Sequence, residues 1–316
     1  MPDPADPSTE PTLSVVIVTY NSGSHIDALL TSIARHTSVD HEVLVVDNAS
    51  SDHTVAVVTE RHPGVDLEAS TENLGFGRAV NRAVERARGE FVVLVNPDTR
   101  LDRPALDELV AFARANPGHG LYGGRTVDEH GVVDPSSCWG PMTPWSLTCF
   151  ATGLSTMRKH SARFDPESLG PWERDTVREV GVVTGCLALA RRDVWNELGG
   201  FDERFWMYGE DADLSMRAWQ AGYRPVICPD AEIFHAVGAS SADRYRNLEM
   251  VYRGKATLVR LHFGGWRRPY GLAMLQAGIG LRAAGSALRA LVARRAPAEA
   301  PYVRMWRSRA DWSAGY

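Results

Sequence analysis

Three short runs constrain this chain most. LSVVIVTYN (13–21), HEVLVVDNASSD (41–52) and FVVLVNPDT (91–99) each hold an apolar run rich in β-branched residues and end in polar ones. Runs this short and this apolar are strands buried on both faces of a sheet. Amphipathic stretches lie between them. Ile26, Leu29, Leu30 and Ile33 share one face of a helix expected over about 24–35, and another helix is expected over about 104–116. Strand alternating with helix predicts an α/β fold with a mainly parallel sheet covered on both sides. Ligands of such sheets sit beyond the carboxyl ends of the strands. Those ends here are Thr19-Tyr20-Asn21, Asp47-Asn48 and Asn96-Pro97-Asp98, so a polar crevice is expected there.

The rest of the 316 residues divides by composition. Residues 1–12 are acidic and proline-rich and read as a disordered lead-in, without the basic start and apolar core of a signal peptide. Residues 125–179 carry Trp139, Trp145 and Trp172 among many Pro, Gly and Ser, and read as irregular and mobile. A strand and a helix ending at Gly199-Gly200 follow, and after about residue 244 the chain reads as helical. Four cysteines without metal-like spacing read as reduced thiols of a cytoplasmic protein. Net charge is −5, yet residues 251–316 hold 12 Arg and Lys against Glu299 and Asp311, leaving −15 on the remainder. Such a tail either meets an anionic surface or packs on the acidic body. Its apolar stretch 270–281 falls short of the roughly 20 residues that span a bilayer, but could lie on a membrane surface. On the membrane reading, truncation after about Arg268 removes vesicle binding and spares donor chemistry.

Two clusters invite chemistry. WMYGEDADLSMR (206–217) places Glu210, Asp211 and Asp213 at the start of an expected helix. Acids there favour the positive end of the helix, and Asp213 with Arg217 makes a surface i,i+4 pair. NPDT (96–99) ends a buried strand, where Asp98 either caps a turn or meets a divalent cation such as Mg²⁺ or Mn²⁺. His235 is a structural histidine or a further ligand of that cation. LGFG (74–77) is no dinucleotide fingerprint, since GxGxxG requires glycine where Val80 stands.

Taken in order, VVIVTYN, VVDNASSD, NLGFGRAVN, NPDT, VTGCLALARR, GGFDERFWMYGEDADLSMR and the late H-x-x-G-x-S resemble the inverting family 2 glycosyltransferases, bacterial dTDP-rhamnosyltransferases above all. The resemblance spans about 13–241, apart from the tryptophan-bearing middle. It implies a GT-A fold over 13–243, with a nucleotide-binding half at 13–124, an acceptor half at 125–243 and a basic helical extension at 244–316. Position by position it implies that Thr19, Tyr20 and Asn21 border the nucleotide and that Asp47 hydrogen-bonds the base. Asn73, Gly75, Phe76 and Asn81 are then expected along base and ribose. Asp98 matches the metal-binding acid of the D-x-D element, whose first acid is here Asn96, and His235 becomes a further metal contact. Asp211 matches the catalytic base, with Glu210 beside it orienting the acceptor or steadying the loop.

The resemblance further implies a nucleotide-sugar donor, dTDP-L-rhamnose first, and an acceptor that is a lipid-linked glycan or a small natural product. It implies a cytoplasmic site of action, at most peripheral to the inner membrane face. Nothing points to nucleic acid. Transfer of another sugar, such as galactofuranose from UDP, is the rival within the class. A non-catalytic nucleotide-sugar-binding protein is opposed by the intact Asp98 and Asp211. A nucleotidyltransferase lacks its Gly-x-Gly-x-x-Arg-like loop after the first strand.

Overall fold

The computed structural model describes residues 10–236, 244–293 and 300–316. Its strands are β1 (Leu13–Thr19), β2 (His41–Asp47), β3 (Asp66–Ala69), β4 (Phe91–Val95), β5 (Thr99–Arg100), β6 (Leu121–Val127), β7 (Val133–Asp134), β8 (Cys138–Trp139), β9 (Arg178–Glu179), β10 (Val182–Val183), β11 (Leu187–Arg191) and β12 (Val226–His235). Its helices are α1 (Ile26–His36), α2 (Thr54–Arg61), α3 (Phe76–Val84), α4 (Ala105–Ala115), α5 (Pro144–Thr152), α6 (Leu154–Met157), α7 (Arg192–Leu198), α8 (Glu210–Gln220), α9 (Arg244–His262), α10 (Arg267–Val292), α11 (Pro301–Arg307) and α12 (Arg309–Ser313).

The main sheet runs β3-β2-β1-β4-β11-β6-β12-β5. Strands β3, β2, β1 and β4 are parallel, β11 runs against both β4 and β6, and β12 is again parallel to β6. The period of two along β1 explains the layers. Leu13, Val15 and Ile17 pack with Leu29 of α1, Val58 of α2 and Leu109 of α4. Val16 and Val18 face the other way, onto Val80 of α3, Trp195 of α7 and Leu214 of α8. The chain leaves β1 toward β2 on one side and reaches β4 on the other. This switch point opens a crevice at the strand ends.

Two readings of the middle and tail are corrected. Residues 125–179 are not simply irregular: they hold β7, β8, α5 and α6 and pair β9 onto β12. Helix α5 begins where Thr143 and Ser146 form a reciprocal capping box with Pro144 at the first position, start signals legible in TPWS. The apolar stretch 270–281 is one part of the 26-residue α10, and its Gly271, Leu275, Gly278 and Ile279 are buried rather than laid out for lipid. Leu275 and Ile279 join Leu147, Tyr252, Val259, Met305 and Trp312 in a separate apolar core of α5, α9, α10, α11 and α12. Among the described residues no helix is long and apolar enough to cross a membrane. All four cysteines are free and buried.

Candidate active site

The strand ends and α8 enclose a crevice of about 1850 Å³. One drug-sized ligand fills about 300–1,000 Å³, so this space admits two substrates side by side. At one end it is lined by Tyr20, Asn21, Asn48, Asn73, Phe76 and Asn96. At the other end stand Phe150 of α5, Trp219 of α8 and Lys255 of α9, with Glu167. Asp98, His235, Glu210 and Asp211 also line it.

The end lined by Tyr20, Asn48 and Asn73 is tied together by asparagines. Asn48 accepts from the Leu74 amide at 2.8 Å and donates to the Gly75 carbonyl at 3.0 Å, fixing the LGFG loop to the end of β2. Asn73 accepts from the Gly75 amide at 2.9 Å. Gly75 has φ +82°, and a Cβ there would stand 2.5 Å from the Trp206 carbonyl oxygen. That carbonyl accepts from the Phe76 amide at 3.0 Å, which joins the LGFG loop to the approach to α8. Asn21 is held at φ 52° while its amide donates to Ser50 Oγ at 2.8 Å.

Four expected nucleotide contacts are placed differently. Asp47 is 1% exposed, and its carboxylate accepts from Thr19 Oγ1 at 2.8 Å, Ser50 N at 2.9 Å and Ser50 Oγ at 2.6 Å. Thr19 and Asp47 thus lie below the crevice floor, holding the β1 and β2 loops together, and Asn48 is the residue that faces the space. Asn81 brackets the backbone of Phe201, donating to its carbonyl at 2.8 Å and accepting from its amide at 2.9 Å. It braces the loop before α8 and does not line the crevice. Gly75 contributes close packing against Trp206 instead of a lining surface.

Asp98 and His235 do meet. Strand β5 pairs antiparallel with β12, setting His235 opposite Thr99, and Ala236 N donates to the Asp98 carbonyl at 2.9 Å. His235 Nε2 lies 3.5 Å from Asp98 Oδ1, while Nδ1 lies 3.1 Å from Asp134 Oδ2. Burial works against a charged ring, but Asp134 and Asp98 outweigh it and take His235 up to about 9. Asp134 escaped the sequence reading, where DPSS signals only a capped turn. Its side chain does cap Ser136 N at 3.0 Å. Gly238 and Ser240 of the H-x-x-G-x-S motif lie outside the described residues.

Glu210 and Asp211 open α8 behind Gly209, whose φ of +109° suits glycine. Glu210 is 5% exposed, and its Oε2 has no hydrogen-bond partner among the described residues. Burial, then the neighbouring Asp211 charge, pushes Glu210 up to about 8. Burial also raises Asp211 above the usual aspartate range, opposed by amide contacts. Its Oδ1 accepts from Ala212 N at 2.7 Å. Asp213 pairs with Arg217 at 2.7 Å as its spacing predicts, but the pair is no surface feature. Asp213 is 1% exposed and also meets His262 of α9 at 2.7 Å.

Sequence reading missed what α9 and the last residues contribute. Lys255 reaches Glu167 at 2.8 Å inside the crevice. Gly254 lies against the Tyr208 carbonyl, and Tyr316 donates its hydroxyl to the Met207 carbonyl. Nothing local in the sequence marks these contacts, because each joins segments far apart in the chain.

With this geometry in place, the likenesses to known proteins become informative. Residues 14–171 match the model of the family described as glycosyl transferase family 2, including much of the tryptophan-bearing middle. The N-acetylglucosaminyl-diphospho-decaprenol L-rhamnosyltransferase of Mycobacterium tuberculosis is 33% identical over 272 residues, covering 81% of this chain and 87% of that protein. The O-antigen chain rhamnosyltransferase of Salmonella typhimurium is 23% identical over 259 residues, covering 80% and 76%. Among solved structures, the mannosyltransferase PcManGT from Pyrobaculum calidifontis in complex with GDP-Man and Mn²⁺ superposes with a TM-score of 0.55 at 25% identity, covering 98% of this chain and 87% of that one. The chain belongs to glycosyltransferase family 2 and is a glycosyltransferase of the GT-A fold with rhamnosyltransferase relatives.

Proposed function

We propose that the protein transfers L-rhamnose from dTDP-L-rhamnose to a hydroxyl of a lipid-linked saccharide, inverting the anomeric configuration, with Asp211 as general base. One observation carries the mechanism. Two adjacent carboxyls, Glu210 and Asp211, open α8 on the crevice where two substrates fit, and burial raises both above their ordinary range. Asp211 takes the base role by its match to the E-D pair of the sequence resemblance, and a carboxyl raised by burial accepts a proton more readily. The acceptor oxygen attacks the anomeric carbon, its proton passes to Asp211, and the bond to the diphosphate breaks with its electrons leaving on the diphosphate. Residues 13–124 hold the nucleotide, 125–243 face the acceptor, and α9 of the 244–316 region walls the acceptor end.

Asp98 and His235 fit a divalent cation, Mg²⁺ or Mn²⁺. Nδ1 is turned to Asp134, the second-shell arrangement common for ligating histidines, and a cation at Nε2 beside Asp98 would displace the proton that the two carboxylates hold on the ring. No ready cage of three or more ligating side chains is present among the described residues, so a bound cation would also need oxygen ligands from the substrate diphosphate. The cation supplies charge neutralisation on the leaving diphosphate.

The donor sugar and lipid-linked acceptor rest on the mycobacterial relative, whose name specifies both. The nucleotide rests on the sequence resemblance. A cytoplasmic site of action, peripheral to the inner membrane face, follows from such an acceptor. The test is a panel of dTDP-L-rhamnose, UDP-galactofuranose, UDP-N-acetylglucosamine and GDP-mannose with Mg²⁺ or Mn²⁺, scored by hydrolysis and by transfer to an N-acetylglucosaminyl-diphospho-lipid. Activity is expected with dTDP-L-rhamnose alone. Asp211→Asn is expected to lower turnover roughly 10²–10⁴-fold with nucleotide affinity retained. Near-normal turnover removes Asp211 from the mechanism, and preference for another donor removes the rhamnosyl assignment.

A further inference from the structure

We propose that the face built by α5, α6 and α10 docks on an anionic lipid bilayer beside the acceptor end of the crevice. The surface meets the apolar stretch picked out by sequence only at its end, Leu281; Gly271, Leu275, Gly278 and Ile279 of that stretch are buried. Leu281, Leu288, Leu291 and Val292 recur at i, i+7, i+10 and i+11, within one side of α10, and are 50%, 63%, 65% and 80% exposed. Met157 at the end of α6 is 77% exposed, Trp145 on α5 is 45% and Trp266 at the start of α10 is 66%. Tryptophan at the rim of an apolar face suits the headgroup layer of a bilayer.

Charge identifies the occupant. Residues 144–164 and 267–292, which form this face, contain seven Arg and Lys and no Asp or Glu. At the chain's average of 39 acids in 316 residues, a stretch of that size carries about six. An apolar stripe flanked by arginines on an otherwise acidic protein fits anionic headgroups with acyl chains beneath them.

The face is continuous with the site. Helices α5 and α10 pack along each other, and Arg282 donates to Phe150 O at 2.9 Å and to Thr156 Oγ1 at 3.0 Å. Leu281 lies against Gly153, between α5 and α6. Phe150, Ser155, Thr156 and Lys159 of the same segment line the crevice. A saccharide carried on a lipid would enter from the bilayer at this edge. The inference rests on the proposed lipid-linked acceptor only for that direction of entry.

Docking is measured without turnover, by co-sedimentation of the full chain with phosphatidylcholine vesicles containing or lacking phosphatidylglycerol. Binding is expected with phosphatidylglycerol at low salt, falling as salt screens it. The exposed double variant Leu288→Asp/Leu291→Asp is expected to lose at least tenfold in partitioning while keeping its melting temperature and donor hydrolysis. Val132→Asp, 60% exposed but on the β6–β7 turn, is expected to bind like wild type. Failure of the full chain to bind at low salt, or equal binding by the double variant, overturns the proposal. A wild-type dimer that the double variant converts to monomer, without vesicle binding, also overturns it and makes the face a self-interface. Use of a detergent-solubilised lipid-linked acceptor without vesicle binding sinks docking alone. Vesicle binding without use of any lipid-linked acceptor sinks the functional reading alone.

Discussion

Gly254→Ala puts a single methyl group against the loop that presents the two carboxyls. Helix α9 crosses that loop so closely that a Cβ on Gly254 would lie 2.1 Å from the Tyr208 carbonyl oxygen and 3.0 Å from its carbon. Ordinary contact lies beyond about 3 Å, so the backbone must separate by about 1 Å in a packed interior. Tyr208 already sits at φ 67° and Gly209 at φ 109°, which leaves the loop little freedom to yield smoothly. Overpacking of this kind costs about 1–3 kcal/mol, partly offset by the roughly 1 kcal/mol that alanine gains over glycine within a helix. Stability is therefore expected to fall by no more than about 2 kcal/mol, a shift of a few degrees in melting temperature. Turnover is expected to fall much further, since displacement of a catalytic group by about 1 Å costs up to about 10²-fold. Gly285→Ala is the control: nothing lies within 4 Å of its added Cβ, so it should be neutral or slightly stabilising with unchanged turnover. Transfer kinetics and thermal melts on both variants decide the matter. Wild-type turnover in Gly254→Ala would refute the claim that α9 sets the position of the carboxyls.

Three further outcomes follow from the same contacts. Tyr316→Phe keeps the ring edge-on to Phe205 but removes the hydroxyl from the Met207 carbonyl, and is expected to lower kcat several-fold without altering nucleotide affinity; an unchanged kcat would make that bond incidental. Asp98→Ala is expected to abolish the strengthening of nucleoside diphosphate binding by Mn²⁺, and His235→Ala to weaken it less, as read by titration calorimetry; full activity in excess EDTA would instead make both residues part of a metal-free site. Glu210 is pushed up to about 8 from an ordinary 4.5, so the folded state holds more protons than the unfolded state between those values, and stability falls as pH rises through that window, by at most about 1.4 kcal/mol per pH unit. Glu210→Gln removes this loss and should match wild type near pH 4.5 but melt higher near pH 8; equal melting curves at both would show that Glu210 is ionised in the folded protein.

The sheet was legible because its strands are apolar on both faces and short, a pattern few other elements share. Asn48, Asn96 and Asp98 line the crevice where the rule that strand ends carry ligands expects polar residues, whereas Glu210 and Asp211 were singled out by the acid cluster that opens α8. Asp47 shows a limit of that rule, since sequence shows a polar strand end but not which polar residue turns inward. Thr19 and Ser50 absorb its carboxylate, leaving Asn48 to face the space. Asp213 shows the same limit on a helix. Its i,i+4 partner was readable from spacing, but its burial comes from α9 arriving with His262 some 49 residues later. Asp134 was invisible for a related reason. A capping aspartate looks local until β12 brings a histidine to its second oxygen.

That long-range character also changes what the C-terminal region is for. Read by charge alone, it is a detachable basic tail, and truncation after about Arg268 should spare donor chemistry. In the folded protein the cut removes Leu275, Ile279, Met305 and Trp312 from the core that covers one side of α9. Loss of large buried side chains costs about 2–5 kcal/mol each, more than α9 can supply from its own turns. With α9 freed, Asp213 keeps Arg217 but loses His262, the Tyr208 loop loses Gly254 behind it, and the Met207 carbonyl loses Tyr316. Truncation is therefore expected to abolish donor hydrolysis and transfer together, with loss of protection from hydrogen exchange across residues 206–213. A truncated protein that stays folded and hydrolyses donor at the wild-type rate would restore the detachable tail. Because the cut destroys both functions at once, only point substitutions on the exposed side of α10 can separate membrane docking from catalysis.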